Sequence, residues 1–157
     1  MPAVELTLAP ATSSVAAARR FLTTTLDAWA HDEPVWDDVA WAATQALSEL
    51  ATNAVLHAGT PFTVALSAEQ GQLRLEVRDG SRRDLHQHRY GLTATTGRGL
   101  ALVDALSTDW GVRVEDGGKV VWCLLAPGAG PAGGLGHGEP DLDDLHGFLS
   151  DAELEAL

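Results

Sequence analysis

The chain has 157 residues, enough for one domain with a real core plus an appendage, but not for two full domains. Its 22 acidic against 10 basic side chains give a formal net charge of -12, which opposes a polyphosphate backbone or an anionic membrane surface. Nucleic acid and lipid are therefore poor direct partners, whereas a small anion held by local backbone amides and a metal ion remains open. The single cysteine, Cys123 in "KVVWCLL", allows no intrachain disulfide, and its apolar run predicts a buried thiol. No basic-then-apolar leader opens the chain and no run of about 18 apolar residues occurs in it, so the cytoplasm is the expected compartment.

In chain order, "VELTLAP" alternates as a short strand. "TSSVAAARRFLTTTLDAWA" follows with Val15, Ala18, Phe21, Leu22, Leu26 and Trp29 at helical spacing and Thr12, Ser13 or Ser14 as caps. Arg19 and Arg20 on this helix read as surface charge, with a partner contact as the alternative. Pro34 is placed to start a second helix from about Val35 to Ala58, which "AGTP" stops. "PFTVALSAEQGQLRLEVRDG" alternates with period two on both sides of "EQGQ", the pattern of a β-hairpin. Leu73, Leu75 and Val77 point one way and Arg74, Glu76 and Arg78 the other, so one sheet face is packed and one is wet.

"SRRDLHQHRYGLTATT" is polar, aperiodic and too long for a tight turn, which predicts a mobile or functional loop. Its His86 and His88 have no third metal ligand in view and read as solvent-exposed. "GRGLALVDALS" then opens a helix on glycines, and "DWGVRVEDGGKVVWCLLA" gives a second hairpin around "EDGGK". The expected order is β, α, α, β, β, α, β, β, with Trp29, Trp36, Trp41, Trp110 and Trp122 packing the core and its rim. Residues 1–126 form the domain, 127–140 a Gly/Pro-rich linker, and 141–157 an acidic segment. In that segment Leu142, Leu145, Phe148 and Leu149 recur at helical spacing, which fits either a short tethered helix or a solvated tail.

Three features carry chemistry. In "LSELATNAVLHAG", Glu49, Asn53 and His57 recur every fourth residue and so form one polar stripe on an otherwise apolar helix. Asn53 offers a neutral oxygen suited to a hard cation such as Mg²⁺, Glu49 a carboxylate one turn earlier, and His57 structural support. Asp79 shares the parity of Leu73, Leu75 and Val77, so it points into the packed face at its strand's end. A carboxylate there needs a partner: either the turn in "DGS", or the amino group of a ligand at the bottom of a pocket. In "TGRGLALV", two glycines at a helix mouth let backbone amides approach an anion.

In this order and separation, "ELATNAVLHA", "VRDGS" and "GRGLALVDAL" resemble the N-box and the two glycine boxes of the histidine-kinase-like (Bergerat) ATPase fold. They look most like its bacterial anti-sigma-factor serine kinase branch. The resemblance covers roughly Thr12 to Leu125. It implies an α/β (α+β) two-layer sandwich: a mixed, mostly antiparallel sheet covered on one face by three helices, with ATP and Mg²⁺ between the helix layer and a lid. By this likeness Asn53 ligates Mg²⁺ and Glu49 is the catalytic base. Asp79 receives the adenine amino group and Gly80 lets the purine approach. Gly97, Arg98, Gly99 and Leu100 lie along the phosphates.

The implied partners are a sigma factor and a STAS-like antagonist phosphorylated on serine or threonine, and a homodimer is admitted. The first glycine box is reduced to "DGS", and no arginine stands immediately before Gly97. Nucleotide binding is thus implied more firmly than phosphoryl transfer. An ATP-dependent switch without transfer, and an interaction protein with a vestigial pocket, are the alternatives.

Overall fold

The computed structural model describes residues 3–81 and 96–128, with the side chains of residues 96–99 left out of that description. The expectations for the loop with His86 and His88, and for the chain beyond Gly128, lie outside the described residues. The elements are β1 (Val4–Leu8), α1 (Ser13–Asp32), a 3-10 segment (Pro34–Val39), α2 (Ala40–Asn53), a π turn (Ala54–Ala58) and β2 (Phe62–Glu69). There follow β3 (Gln72–Asp79), α3 (Thr96–Leu106), β4 (Asp109–Glu115) and β5 (Gly118–Leu125).

The five strands lie in the order β1-β2-β3-β5-β4, and every neighbouring pair is antiparallel. The expected two-layer α+β architecture is present, with an antiparallel sheet and three helices. Both hairpins fall where the alternation placed them, with loops of two residues: Glu69 pairs with Gln72, and Glu115 with Gly118. Because β3 and β4 are each antiparallel to β5, they run parallel to one another. The chain between them crosses over through α3 and leaves a gap that the second hairpin fills with β5.

Period-two alternation turns into burial as expected. Leu73, Leu75 and Val77 on β3 and Cys123 and Leu125 on β5 are at most 2% exposed and face Leu22, Leu47 and Val103 of the three helices within one core. Each such large aliphatic side chain contributes about 1.5–3 kcal/mol when withdrawn from water. Burial pushes the Cys123 thiol up to about 12, so it behaves as a small apolar core residue. Among the described residues no helix is long and apolar enough to cross a membrane.

Three local differences from the sequence expectation stand out. The helix expected from about Val35 to Ala58 is divided into a 3-10 segment, α2 and a π turn. Pro34 sits in the first turn of the 3-10 segment, where its missing N–H costs nothing, and Gly59 ends the run in the left-handed region at φ 62°. Trp122 belongs neither to the core nor to its rim but to the outer sheet face, half-buried beneath Arg74, whose guanidinium carbon lies 4.7 Å from the ring centroid. Arg19 is not a free surface charge: it is half-buried and its Nε donates to Ser48 Oγ at 2.8 Å, tying α1 to α2, while Arg20 is exposed.

Candidate functional site

The apolar side of α2 fixes where its polar stripe goes. Ala43, Ala46, Leu47, Leu50, Ala51 and Ala54 are all at most 3% exposed, so the helix cannot roll without unpacking them. Glu49 and Asn53 are left half-buried at the edge of this face, one turn apart, with Asn53 as the last residue of α2. Glu49 is engaged in a polar interaction. The helix packs against β3, β5 and α3, so the stripe is carried on the element that adjoins both other features. His57, expected as support, is exposed on the π turn, a helical irregularity that occurs often at functional sites.

Asp79 closes β3 on the inward side with 6% exposure, as its parity required. Its Oδ1 accepts the Ser81 N–H at 2.8 Å, so the carboxylate closes the turn through Gly80. Asp79 and Ser81 are also engaged in further polar interactions beyond this turn. The Gly80 N–H donates to Thr60 Oγ1 at 2.9 Å, which ties the strand end to the segment leaving α2 and the π turn. The two sides of the site are thereby held by a direct bond.

β5 closes in on the same point. Gly118 passes so near Asp79 that a Cβ built on it would lie 1.9 Å from the Asp79 carbonyl oxygen, a contact only glycine permits. The next residue, Lys119, stands directly opposite Asp79 in the β3–β5 register and is itself 6% exposed. It shares the parity of Val121, Cys123 and Leu125, so it leaves the sheet on the helix-covered face.

α3 supplies the third wall. Gly97, Arg98 and Gly99 occupy its first turn, where the opening amides of an α-helix have no partner within the helix and carry its positive dipole end. Leu100 is 7% exposed with its side chain in the core, so its side chain anchors the helix mouth. Among the described residues no cluster of three or more His, Cys, Asp or Glu is arranged to hold a metal.

Sequence reasoning identified the stripe, Asp79 and the glycine-opened helix, and the fold brings their elements together. It passed over Thr60 and Lys119. For Lys119 a signal was available: a lysine on the same parity as three core residues is as anomalous as an inward aspartate. Thr60 had none, because its role depends on a contact 20 residues away.

A sheet-end carboxylate and a half-polar helix face, with a glycine-opened helix packed against the latter, mark a candidate small-ligand site in a two-layer α+β protein. The chain belongs to the histidine kinase-like ATPase domain family, whose model matches residues 8–124. Membership of that family supports ATP binding. The chain is also similar to an uncharacterised protein of Streptomyces coelicolor, 36% identical over 104 residues, a match spanning 63% of this chain and 89% of the relative.

Proposed function

We propose that the protein is an ATP-binding regulator of the anti-sigma-factor kind, which transfers the γ-phosphate of ATP to a serine or threonine of an antagonist protein and sequesters a sigma factor. The observation that carries the nucleotide part is the buried Asp79 carboxylate at the end of β3, fixed through Gly80 to the segment that leaves the Glu49–Asn53 helix. The donor set fits the ligand. Asp79 is an acceptor for an exocyclic amino group. Asn53 offers one neutral oxygen to Mg²⁺, which binds few protein ligands when phosphates supply the rest. The Gly97 to Gly99 turn offers backbone amides to phosphate oxygens.

When bound, Mg-ATP supplies the phosphoryl group and the charge neutralisation for its transfer. This chain's own part is to orient and exclude. Glu49 would hold the incoming serine or threonine hydroxyl and take its proton as that oxygen bonds to the γ-phosphorus and the bond from this phosphorus to ADP breaks, ADP leaving with the electron pair. Asn53 would hold the metal, and Asp79 with Gly80 would hold the adenine. Ala51 and Ala54 on the neighbouring helix face are at most 1% exposed.

A reading without transfer is favoured by one feature: Ser81 follows Gly80 and turns its N–H back onto Asp79, so the first glycine box is short. Glu49→Ala separates the two. Under the kinase reading, transfer to an antagonist drops by two or more orders of magnitude, on the scale of losing a general base. ATP affinity by calorimetry stays within about twofold. Equal transfer rates for Glu49→Ala and the parent remove Glu49 as the base, and transfer absent from both leaves the switch.

A further inference from the structure

Lys119 is 94% withdrawn from solvent, and no hydrogen-bond or ion-pair partner of its ammonium lies among the described residues. Among the described residues the only buried side-chain nitrogen or oxygen without a partner is Trp36 Nε1, so the apolar stem of Lys119 is what is buried, and its ammonium stays accessible at the end of the sheet with three donors to offer. The rest of its strand face is apolar, with Val121, Cys123 and Leu125 in the core, so Lys119 is the one charged side chain that this face of β5 carries to the sheet end. Its cross-strand neighbour is Asp79, and residues directly opposite in an antiparallel pair carry their Cβ atoms about 4.5–5.5 Å apart on the same face. A donor and an acceptor therefore stand side by side at the end of the sheet, held at that spacing by the contact between Gly118 and the Asp79 carbonyl.

We infer that Lys119 is a base-reading residue. Its ammonium donates to a ring nitrogen of the purine, the one flanking the 6-amino group that Asp79 receives. The 6-amino group of adenine is a donor, with acceptors at N1 on one side and N7 on the other, so a carboxylate and an ammonium side by side match two adjacent positions of that edge. Two points fix the base in its plane where one lets it pivot, and a site that reads a polar group rejects the analogue lacking it far better than an apolar site could. The inference rests on the nucleotide reading of the site and adds a second recognition element to it.

The test uses the full chain, with ATP, 1-deaza-ATP and 7-deaza-ATP as probes in calorimetric titrations with Mg²⁺. The parent is expected to bind one of the two deaza analogues at least tenfold more weakly than ATP, which identifies the nitrogen. Lys119→Met should bind ATP about tenfold more weakly than the parent and no longer distinguish ATP from that analogue. In the absence of nucleotide its thermal midpoint should hold, because methionine keeps the buried apolar stem. A parent that binds both analogues as it binds ATP overturns the inference and leaves the nucleotide site standing. So does a Lys119→Met protein that keeps the parent's discrimination. A falling midpoint with unchanged discrimination marks Lys119 as structural. A parent that binds no ATP at millimolar nucleotide overturns the site reading and this inference together.

Discussion

Two groups of charge meet on β3 and lie on opposite faces of the sheet. On the outer face Arg74 meets Glu76 at 2.8 Å and Glu69 at 3.4 Å, Arg113 meets Glu115 at 2.8 Å, and Arg78 meets Glu115 at 3.1 Å. These ions lie on β2, β3 and β4 with side chains 16–48% exposed, paired with each other on the outer face, and Arg74 also covers Trp122. At the inner end of β3 and β5 lie Asp79 and Lys119, both 6% exposed. The outer lattice keeps one sheet face wet and soluble, and exposed pairs of this kind contribute little each. The inner two bring a carboxylate and an ammonium to the helix-covered face at the end of the sheet, beside the elements that carry the candidate site.

The sharpest way to break this contrast is through two glycines. Gly118→Ala drives a methyl into the Asp79 carbonyl, backbone against backbone, and is expected to destabilise by about 3 kcal/mol, read from urea unfolding. Gly111→Ala on the outer face meets only the Trp122 ring, at 2.9 Å, and a side chain can yield, so about 1 kcal/mol is expected. Equal costs at the two positions would mean that the inner strand end is no more tightly fixed than the outer face.

Next in size is Asp79→Asn, which keeps shape but removes the charged acceptor. ATP affinity should fall by about 1–3 kcal/mol in calorimetric titration, with a smaller loss of stability because the amide oxygen can still accept from Ser81. Unchanged affinity would reduce Asp79 to a turn residue. The smallest effect belongs to the outer lattice. The hydrogen bond from Arg113, with the charges of Arg78 and Arg113, holds the Glu115 carboxyl below its ordinary value of 4.5. A depressed folded value stabilises above the unfolded one and is lost as pH falls through the folded one. Glu115→Gln should therefore unfold slightly earlier than the parent at pH 7, and the difference should vanish in acid. A difference that grows on acidification would contradict the pairing.

Local periodicity made much of this protein legible. The inward set Leu73, Leu75, Val77 and Asp79 follows from alternation alone, because strand side chains alternate whatever the strand is paired with. The outer set Arg74, Glu76 and Arg78 follows for the same reason. The stripe of Glu49 and Asn53 follows from helical spacing, and the Gly97 to Gly99 turn from glycine placement. The break of the expected Val35 to Ala58 helix at Asn53 was not legible, since the residues on both sides of it favour helix equally.

What only the tertiary structure decided is non-local. β5 inserts between β3 and β4, which are nearer in sequence, and that choice puts Lys119 opposite Asp79 across 40 positions of chain. Thr60 reaches Gly80 because α2 and the π turn deliver the chain to the end of β3. Trp122 lies outward and Arg19 inward because strand order and helix packing set their neighbours. Sequence pattern fixes which face a residue takes on its own element, because that is a matter of backbone geometry. Which residue stands across from it depends on register and strand order, settled by the packing of the whole core.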